Sequence, residues 1–195
     1  MKNLFLVILV IVIYSAASAQ SWIGIKAGAN FPDLTGKDAT SAIHNKTGFY
    51  TGILLNIRAA AHFHIQPELL WSSQGYKYTE LGSQFKTTFN YIHLLALGQY
   101  KSKGFCVETG PQLGVLSSVK RKGGILGTED IKDSFKPTAF SWTAGIGYRD
   151  PFGYGIDLRY TIGLGSIADD ANTDVKFNVF MLGISKTFKL AGKKK

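Results

Sequence analysis

The sequence predicts an all-β fold, specifically an eight-stranded antiparallel up-and-down transmembrane β-barrel. Three observations support this fold class. Eight segments alternate between apolar and polar side chains, which is the period of a β-strand with two different faces. The connections between these segments alternate between short and long, and the chain begins with the features of an exported protein.

Residues 1–19 have the features of a secretory signal peptide. Lys2 precedes an unbroken apolar run, Leu4–Tyr14, and a small-residue Ala-Ser-Ala motif follows, ending at Ala19. The run is shorter than the ~20 residues that a membrane-spanning helix needs. We therefore predict cleavage after Ala19 and a single barrel domain over residues 20–195.

The eight segments share strand periodicity and are separated by connections of two kinds. They cover residues 22–31, 47–58, 62–74, 87–101, 103–117, 138–149, 154–164 and 176–188. Short turns on the periplasmic side and long loops outside are typical of outer-membrane barrels, so the pattern predicts an outer-membrane location. Segments 87–101 and 176–188 are apolar on both faces over part of their length, which leaves their registers open.

The two faces of each segment differ in size, and this difference predicts which face contacts lipid. In the seventh segment, Ile156, Leu158 and Tyr160 alternate with Asp157 and Arg159. The interior of an eight-stranded barrel is only wide enough for side chains to fill it, and the bulky set would overfill it. We therefore predict that the bulky face contacts lipid and that the small or charged face lines the lumen.

The predicted lumenal face carries charges of both signs. Since buried charges need partners, we predict an ion-pair network that fills and closes the barrel. Its predicted members are Lys26, Arg58, Glu68, Glu108, Gln112, Asp157 and Arg159, with Arg149 on the same face. A catalytic acid–base pair formed by Glu68 and Glu108 is the alternative, but polar lumens are the rule in such barrels.

Aromatic residues on the outward face are predicted to form two belts, as interfacial aromatic residues do on both sides of a membrane. The belt residues are Phe63, Trp71, Tyr100, Phe105, Trp142, Tyr148, Tyr154, Tyr160 and Phe188. Pro67 and Pro111 fall inside predicted strands. Because proline removes a ladder hydrogen bond, we expect β-bulges at these two positions.

Other residues that could support chemistry form three sets. These are His62 and His64 as zinc ligands, Asp38, Ser41 and His44 as a hydrolytic group, and Asp169, Asp170 and Asp174 as a calcium site. Exposed histidines at a strand end and solvated acids in a loop are ordinary, and nothing in the polar loop orients a triad. We predict no catalytic residue, no metal site and no cofactor. Cys106 is the only cysteine, so no intramolecular disulfide can form.

The chain is basic, with a formal net charge of +9. Basic residues cluster at Lys120, Arg121, Lys122 and Lys132 in one long connection, and again at the C-terminus. A basic patch can bind nucleic acid, but an exported chain rarely meets it, so attraction to anionic lipid head groups is the better interpretation. The predicted partners are outer-membrane lipids, with envelope or secretion proteins as further candidates at the loops or periplasmic turns, and no nucleic acid.

Several stretches are similar to one known family. "IGIKAGANF", "QPELLWSSQGYK", "VETGPQLGVL", "AGIGYRDPFGYGIDLRYTIGLGSI" and "LGISKTF" resemble the PorT-type outer-membrane β-barrel family over nearly all of residues 20–195. The stretch "NYIHLLAL" departs from the family, whose members often have Tyr-Leu-Glu-Ile-Pro there; His93 replaces the acid and Leu95 the proline. The resemblance implies an outer-membrane barrel without a single activity, and some members assist secretion or gliding.

Together these observations predict a non-enzymatic outer-membrane barrel with a closed polar lumen and extracellular loops. Its predicted role is structural, binding, or accessory to secretion or envelope assembly. A membrane-embedded lipid-modifying enzyme is the alternative, and a small-solute pore is a weaker one.

Overall fold

The structure, a computed structural model, describes residues 21–37, 44–80, 83–123, 127–169 and 175–190. The strands are β1 (Ser21–Thr35), β2 (His44–Arg58), β3 (Phe63–Glu80), β4 (Ser83–Ser102), β5 (Phe105–Lys122), β6 (Thr128–Asp130), β7 (Thr138–Arg149), β8 (Tyr154–Gly163) and β9 (Lys176–Lys189). A short 3₁₀ helix, Lys132–Ser134, precedes β7. No helix in these ranges is long and apolar enough to cross a membrane. The predicted signal peptide over residues 1–19 lies outside the described residues.

Eight of these strands close on themselves into a barrel. The sheet runs in the order β4-β3-β2-β1-β9-β8-β7-β5, every pairing is antiparallel, and β4 also pairs with β5 to join the two edges. Strand β6 adds to β5 beyond the barrel wall. Closure satisfies the backbone hydrogen bonds that an open edge would leave unpaired in lipid. Each of the eight predicted segments corresponds to one barrel strand, so the predicted fold class is confirmed.

The alternation of connection lengths predicts a long loop over residues 75–86, between the third and fourth segments, but strands β3 and β4 both extend into this stretch. Strands β3 and β4 stay paired without interruption from Phe63–Tyr100 to Glu80–Ser83. Strand β5 likewise continues to Lys122 and pairs there with β6. The polar stretch lacks the apolar alternation of a strand, but backbone hydrogen bonds between strands do not require apolar side chains. The barrel wall therefore rises further on the β3–β5 side.

Pro67 and Pro111 are accommodated without the bulges that we expected. The β3–β4 pairing runs past Pro67 and Ala96 without a shift, and the β5–β7 pairing runs past Pro111 and Trp142 in the same way. On its other side, each proline faces a short gap in a ladder whose register is unchanged. In an antiparallel pair both backbone polar groups of a residue point to the same neighbour, so each missing N–H affects one side only.

The bulky face of the barrel points outward. On β8, Ile156, Leu158 and Tyr160 are exposed, whereas Asp157 and Arg159 are buried inside. All nine aromatic residues predicted for the belts project outward and are exposed, namely Phe63, Trp71, Tyr100, Phe105, Trp142, Tyr148, Tyr154, Tyr160 and Phe188. An outward apolar surface suits a barrel whose surroundings are lipid. The contact of these rings with the membrane interfaces remains a prediction.

A charge placed on the outward face should impair membrane folding. Leu158 is 37% exposed on the outer side of β8, and a cation near mid-membrane costs roughly 2–4 kcal/mol. We expect Leu158→Arg to lower the folded fraction in lipid vesicles, measured by the mobility difference between boiled and unboiled samples on gels. The matched control is Phe152→Arg, which adds the same charge in a turn where the side chain is 78% exposed. Equal folding of both variants would mean that the two faces are assigned the wrong way round.

Candidate functional site

The centre of the lumen is organised around Arg159, which is only 1% exposed. Its two terminal nitrogens donate hydrogen bonds to both carboxylate oxygens of Glu68, each at 2.7 Å. Its Nε donates to Oε1 of Glu108 at 2.5 Å. Charge-assisted, bidentate hydrogen bonds of this kind are the strong ones. The guanidinium thereby links β8 to β3 and to β5 across the barrel interior.

A second cation completes the central cluster. Lys26 Nζ lies 2.8 Å from Oδ1 of Asp157 and 3.6 Å from Oε1 of Glu68. Asp157 Oδ2 lies 3.5 Å from Nε of Arg159. Two cations and three carboxylates therefore share one buried site, to which β1, β3, β5 and β8 each contribute.

A layer of amide side chains lies next to the cluster, towards the short turns. Gln66 donates to Glu68 and Gln99 donates to Glu108, both at 2.6 Å. Asn56 Nδ2 donates to the side-chain oxygens of both glutamines, at 2.8 and 2.7 Å. Of the lumenal amides, only Gln112 was predicted from the sequence; the three amides of this layer were missed, although strand alternation places all three on the lumenal face.

The structure brings five of the seven predicted lumenal residues into the central cluster: Lys26, Glu68, Glu108, Asp157 and Arg159. Gln112 lies one layer towards the long loops, where its side chain contacts His93 at 3.1 Å and accepts a hydrogen bond from Thr143 at 3.1 Å.

Arg58 was placed in this network incorrectly. It is exposed at the end of β2, and its guanidinium donates to the backbone carbonyls of Ala60 and Ala61, both at 3.3 Å. Residue parity along a strand determines the face of a side chain but not its depth along the barrel, and Arg58 is at the short-turn rim.

The half of the lumen nearer the long loops, called the apolar half below, is filled mainly by an apolar cluster, although Gln74, His93 and Thr161 are buried there too, so the predicted polar lumen is only partly correct. The buried members of the cluster are Tyr50, Leu70, Phe89, Tyr91, Leu95, Leu97, Leu116, Val119, Ile167, Phe177, Val179 and Met181. Glycines make the room for them: a Cβ on Gly183 would lie 2.1 Å from the Tyr50 hydroxyl, and one on Gly28 would lie 2.6 Å from the Tyr50 ring.

Residues of two long connections pack over the apolar half. The Phe135 ring meets Phe89 edge-on, with ring centroids 4.8 Å apart. Ile167 is buried, and its backbone bonds to Lys136 and to Val175 at 2.9 and 2.8 Å. Phe135 also forms an isolated β-bridge with Ala168. The β5–β7 and β8–β9 connections are thus tied to each other across the barrel mouth.

The enclosed spaces found in the described lumen are small. One cavity of about 30 Å³ lies among Tyr50, His93 and Gln112, and another of about 20 Å³ lies beside Arg149 and Glu108. Such volumes hold about one or two water molecules. A recess of about 410 Å³, lined in part by His64 and Lys101, lies at the short-turn end.

The candidate chemical sites from the sequence are not assembled where the structure describes them. His62 Nδ1 lies 2.9 Å from the Lys101 carbonyl, whereas His64 Nδ1 lies 2.9 Å from Asn56 Oδ1. Within the described ranges, no group of three or more His, Cys, Asp and Glu side chains could hold a metal ion. Most of the loop residues proposed for a hydrolytic group or a calcium site lie outside the described residues.

A family model described as the outer membrane protein beta-barrel domain matches residues 18–169. The chain belongs to this family. Its match and the closed barrel place the protein in the outer membrane.

Solved structures support the same fold. Ail, the attachment invasion locus protein of Yersinia pestis, described in complex with the heparin analogue sucrose octasulfate, is 17% identical, with a TM-score of 0.53, over 87% of this chain and 99% of that one. Neisserial surface protein A is 14% identical, with a TM-score of 0.55, over 85% of this chain and 97% of that one. At these identities the likeness concerns the fold alone. No curated protein shows significant similarity to the sequence.

Removing one carboxylate from the central cluster should destabilise the barrel. Glu68→Ala leaves the two terminal nitrogens of Arg159 without their acceptors and removes one of the two carboxylates beside Lys26, and breaking a buried ion pair costs about 3–5 kcal/mol. The control is Glu129→Ala, which breaks the exposed 2.7 Å pair with Arg121 and should cost at most about 1 kcal/mol. The free energy of unfolding in urea, measured for protein in lipid vesicles, compares the two. Equal losses would show that the cluster contributes nothing specific.

Proposed function

We propose that this protein is a closed, non-enzymatic outer-membrane barrel that displays its long loops at the cell surface in a structural or binding role. The observation that carries the proposal is the filling of the lumen along its length. Amides and ion pairs around Arg159 occupy one half, the aromatic cluster around Phe89 occupies the other, and Phe135 and Ile167 cover its mouth.

Transport of solutes fits this interior poorly. A solute would have to displace the Glu68 and Glu108 carboxylates from Arg159, leaving a buried charge uncompensated. It would then have to separate the packed rings of Phe89 and Phe177, whose centroids are 5.3 Å apart. The two barriers follow one another along the barrel axis, so opening one of them does not open a path for a solute through the barrel.

Catalysis by the two lumenal glutamates also fits poorly. Glu68 and Glu108 are each 2% exposed, and each accepts hydrogen bonds from Arg159 and from a glutamine. A general acid or base must lie within hydrogen-bonding reach of its substrate. A lipid outside the barrel wall cannot reach these carboxylates, so we assign them to filling the lumen.

The PorT-type resemblance makes an accessory role in secretion or envelope assembly the second candidate. The recess at the short-turn end, lined in part by Trp22, His64 and Arg149, is the surface where a periplasmic partner would dock. A photo-cross-linking residue at Ala60, in the adjoining turn, would capture envelope proteins from intact cells under this hypothesis. Capture of none, with capture at the long loops instead, would favour a surface binding role.

The closed lumen is tested by recording across planar lipid bilayers with purified, refolded protein. We expect the wild type to give no channel steps. Glu68→Ala should stay silent as well, because the Phe89 cluster still blocks the other half. Combining Glu68→Ala with Phe89→Ala should produce conductance. Steady, reproducible single-channel steps from the wild type would refute the closed barrel and make a solute pore the better assignment.

A further inference from the structure

Three lysines stand side by side across three neighbouring strands. Lys77 of β3 is directly opposite Lys86 of β4, and Lys86 is directly opposite Lys122 of β5. Directly opposite residues of antiparallel strands point to the same face, with Cβ atoms about 4.5–5.5 Å apart. All three side chains are exposed. We refer to Lys77, Lys86 and Lys122 as the lysine row.

The lysine row faces sideways out of the barrel wall. Lys77 lies six residues beyond Trp71 on β3 and shares its outward face, and Lys86 and Lys122 share that face through their pairing. Six residues extend ~20 Å along a strand, or ~14 Å along the membrane normal at a tilt of ~45°. The row therefore lies above the predicted aromatic belt, at the level of the sugars and phosphates of an outer-leaflet glycolipid.

Two more lysines lie one step closer to the membrane on the same face. Lys120 is opposite Thr88, Thr88 is opposite Gly75, and Gly75 is opposite Lys46. The absence of a side chain at Gly75 lets Lys46 reach across it, and Lys46 Nζ donates to Thr88 Oγ1 at 3.2 Å. Below this step come Asn90 and Ser118 and then the apolar row of Trp71, Ile92 and Val115.

Ion pairs with described residues do not neutralise the charge of these five lysines. Among the residues that the structure describes, none of the five makes a salt bridge. Glu129 is paired with Arg121, and Asp130, which is opposite Lys120, accepts a hydrogen bond from the Lys132 backbone at 3.0 Å. Like charges directly opposite each other destabilise a strand pair. Here lysines are opposite each other across three strands. An anionic ligand bound to all three would offset their repulsion and so explain the arrangement.

We propose that the lysine row, together with Lys46 and Lys120, binds the phosphate groups of glycolipids in the outer leaflet. Lysine ammonium groups are compact point charges that bind phosphate. The surface faces sideways from the wall, directly above an apolar row, so a ligand bound there lies beside the barrel, where the leaflet is. A soluble polyanion would more readily meet the loop tips. The proposal does not depend on the closure of the lumen.

The test uses refolded full-length mature protein in phosphatidylcholine nanodiscs with added lipid A. Bound lipid A is counted by native mass spectrometry, with diphosphorylated and dephosphorylated lipid A compared. We expect the wild type to prefer the diphosphorylated form at least tenfold, and to lose that preference as the salt concentration rises. Each lysine near an anionic surface contributes about a fivefold change, so Lys77→Gln, Lys86→Gln and Lys122→Gln combined should reduce binding at least tenfold.

The matched control removes the same charge at the opposite end of the barrel by combining Lys103→Gln, Lys186→Gln and Lys189→Gln. Its binding of lipid A should equal that of the wild type, and gel mobility should show that both triple variants fold. Equal losses in the two variants would reduce the effect to net charge and overturn the proposal. The proposal would also be overturned if dephosphorylated lipid A bound equally well, or if the lysine row bound a sulfated polysaccharide but did not bind lipid A.

Discussion

The rest of the structure depends on one constraint: a guanidinium buried at the centre of the barrel must be matched by carboxylates there. Arg159 is held by Glu68 and Glu108 from two other strands, with Asp157 and Lys26 completing the charges. The neighbouring positions are small for the same reason. A Cβ on Gly145 would lie 2.8 Å from the Arg159 side chain, and one on Gly183 would lie 2.8 Å from Asp157. Burying Arg159 therefore requires both the carboxylates of the cluster and the glycines around it, which lie on several strands.

Buried ion pairs alone are weak evidence of stability, because desolvating the charges offsets much of their attraction. The apolar half of the lumen complements them, since Phe89, Phe177 and their neighbours pack without that penalty. The charged half contributes specificity instead. A shift of β3 or β8 by one residue would move Glu68 or Arg159 to the outer face. The charged half thus disfavours wrong strand registers, and the apolar half contributes packing.

Sequence reasoning succeeded where alternation was strict. On β8 the switch between bulky and charged residues is unbroken, and both the faces and the central members Asp157 and Arg159 were predictable. It failed where alternation was weak: β4 is apolar on both faces, so nothing in the sequence indicated that Phe89 and Tyr91 point inward. Depth was also hidden, because parity gives Arg58 and Glu68 the same face but not the same height. The three amides next to the cluster were overlooked because the sequence gives no sign of the hydrogen-bond partners of a neutral lumenal side chain.

The same electrostatic rule has different consequences on the two sides of the wall. Inside, charges must be matched by the protein, because side chains fill the lumen and leave little room for water or ions, and the carboxylates around Arg159 supply the match. On the solvent-exposed outer surface, water and ions screen charges, so adjacent exposed lysines such as Lys77 and Lys86 are tolerated without a salt bridge to any described residue. Tolerance is not a reason for their alignment, however. The backbone pairing that extends β3, β4 and β5 past the apolar row holds the backbones of the three lysines in register. The backbone entropy that binding an anionic surface would otherwise cost is therefore already lost on folding, and only the lysine side chains remain to be ordered.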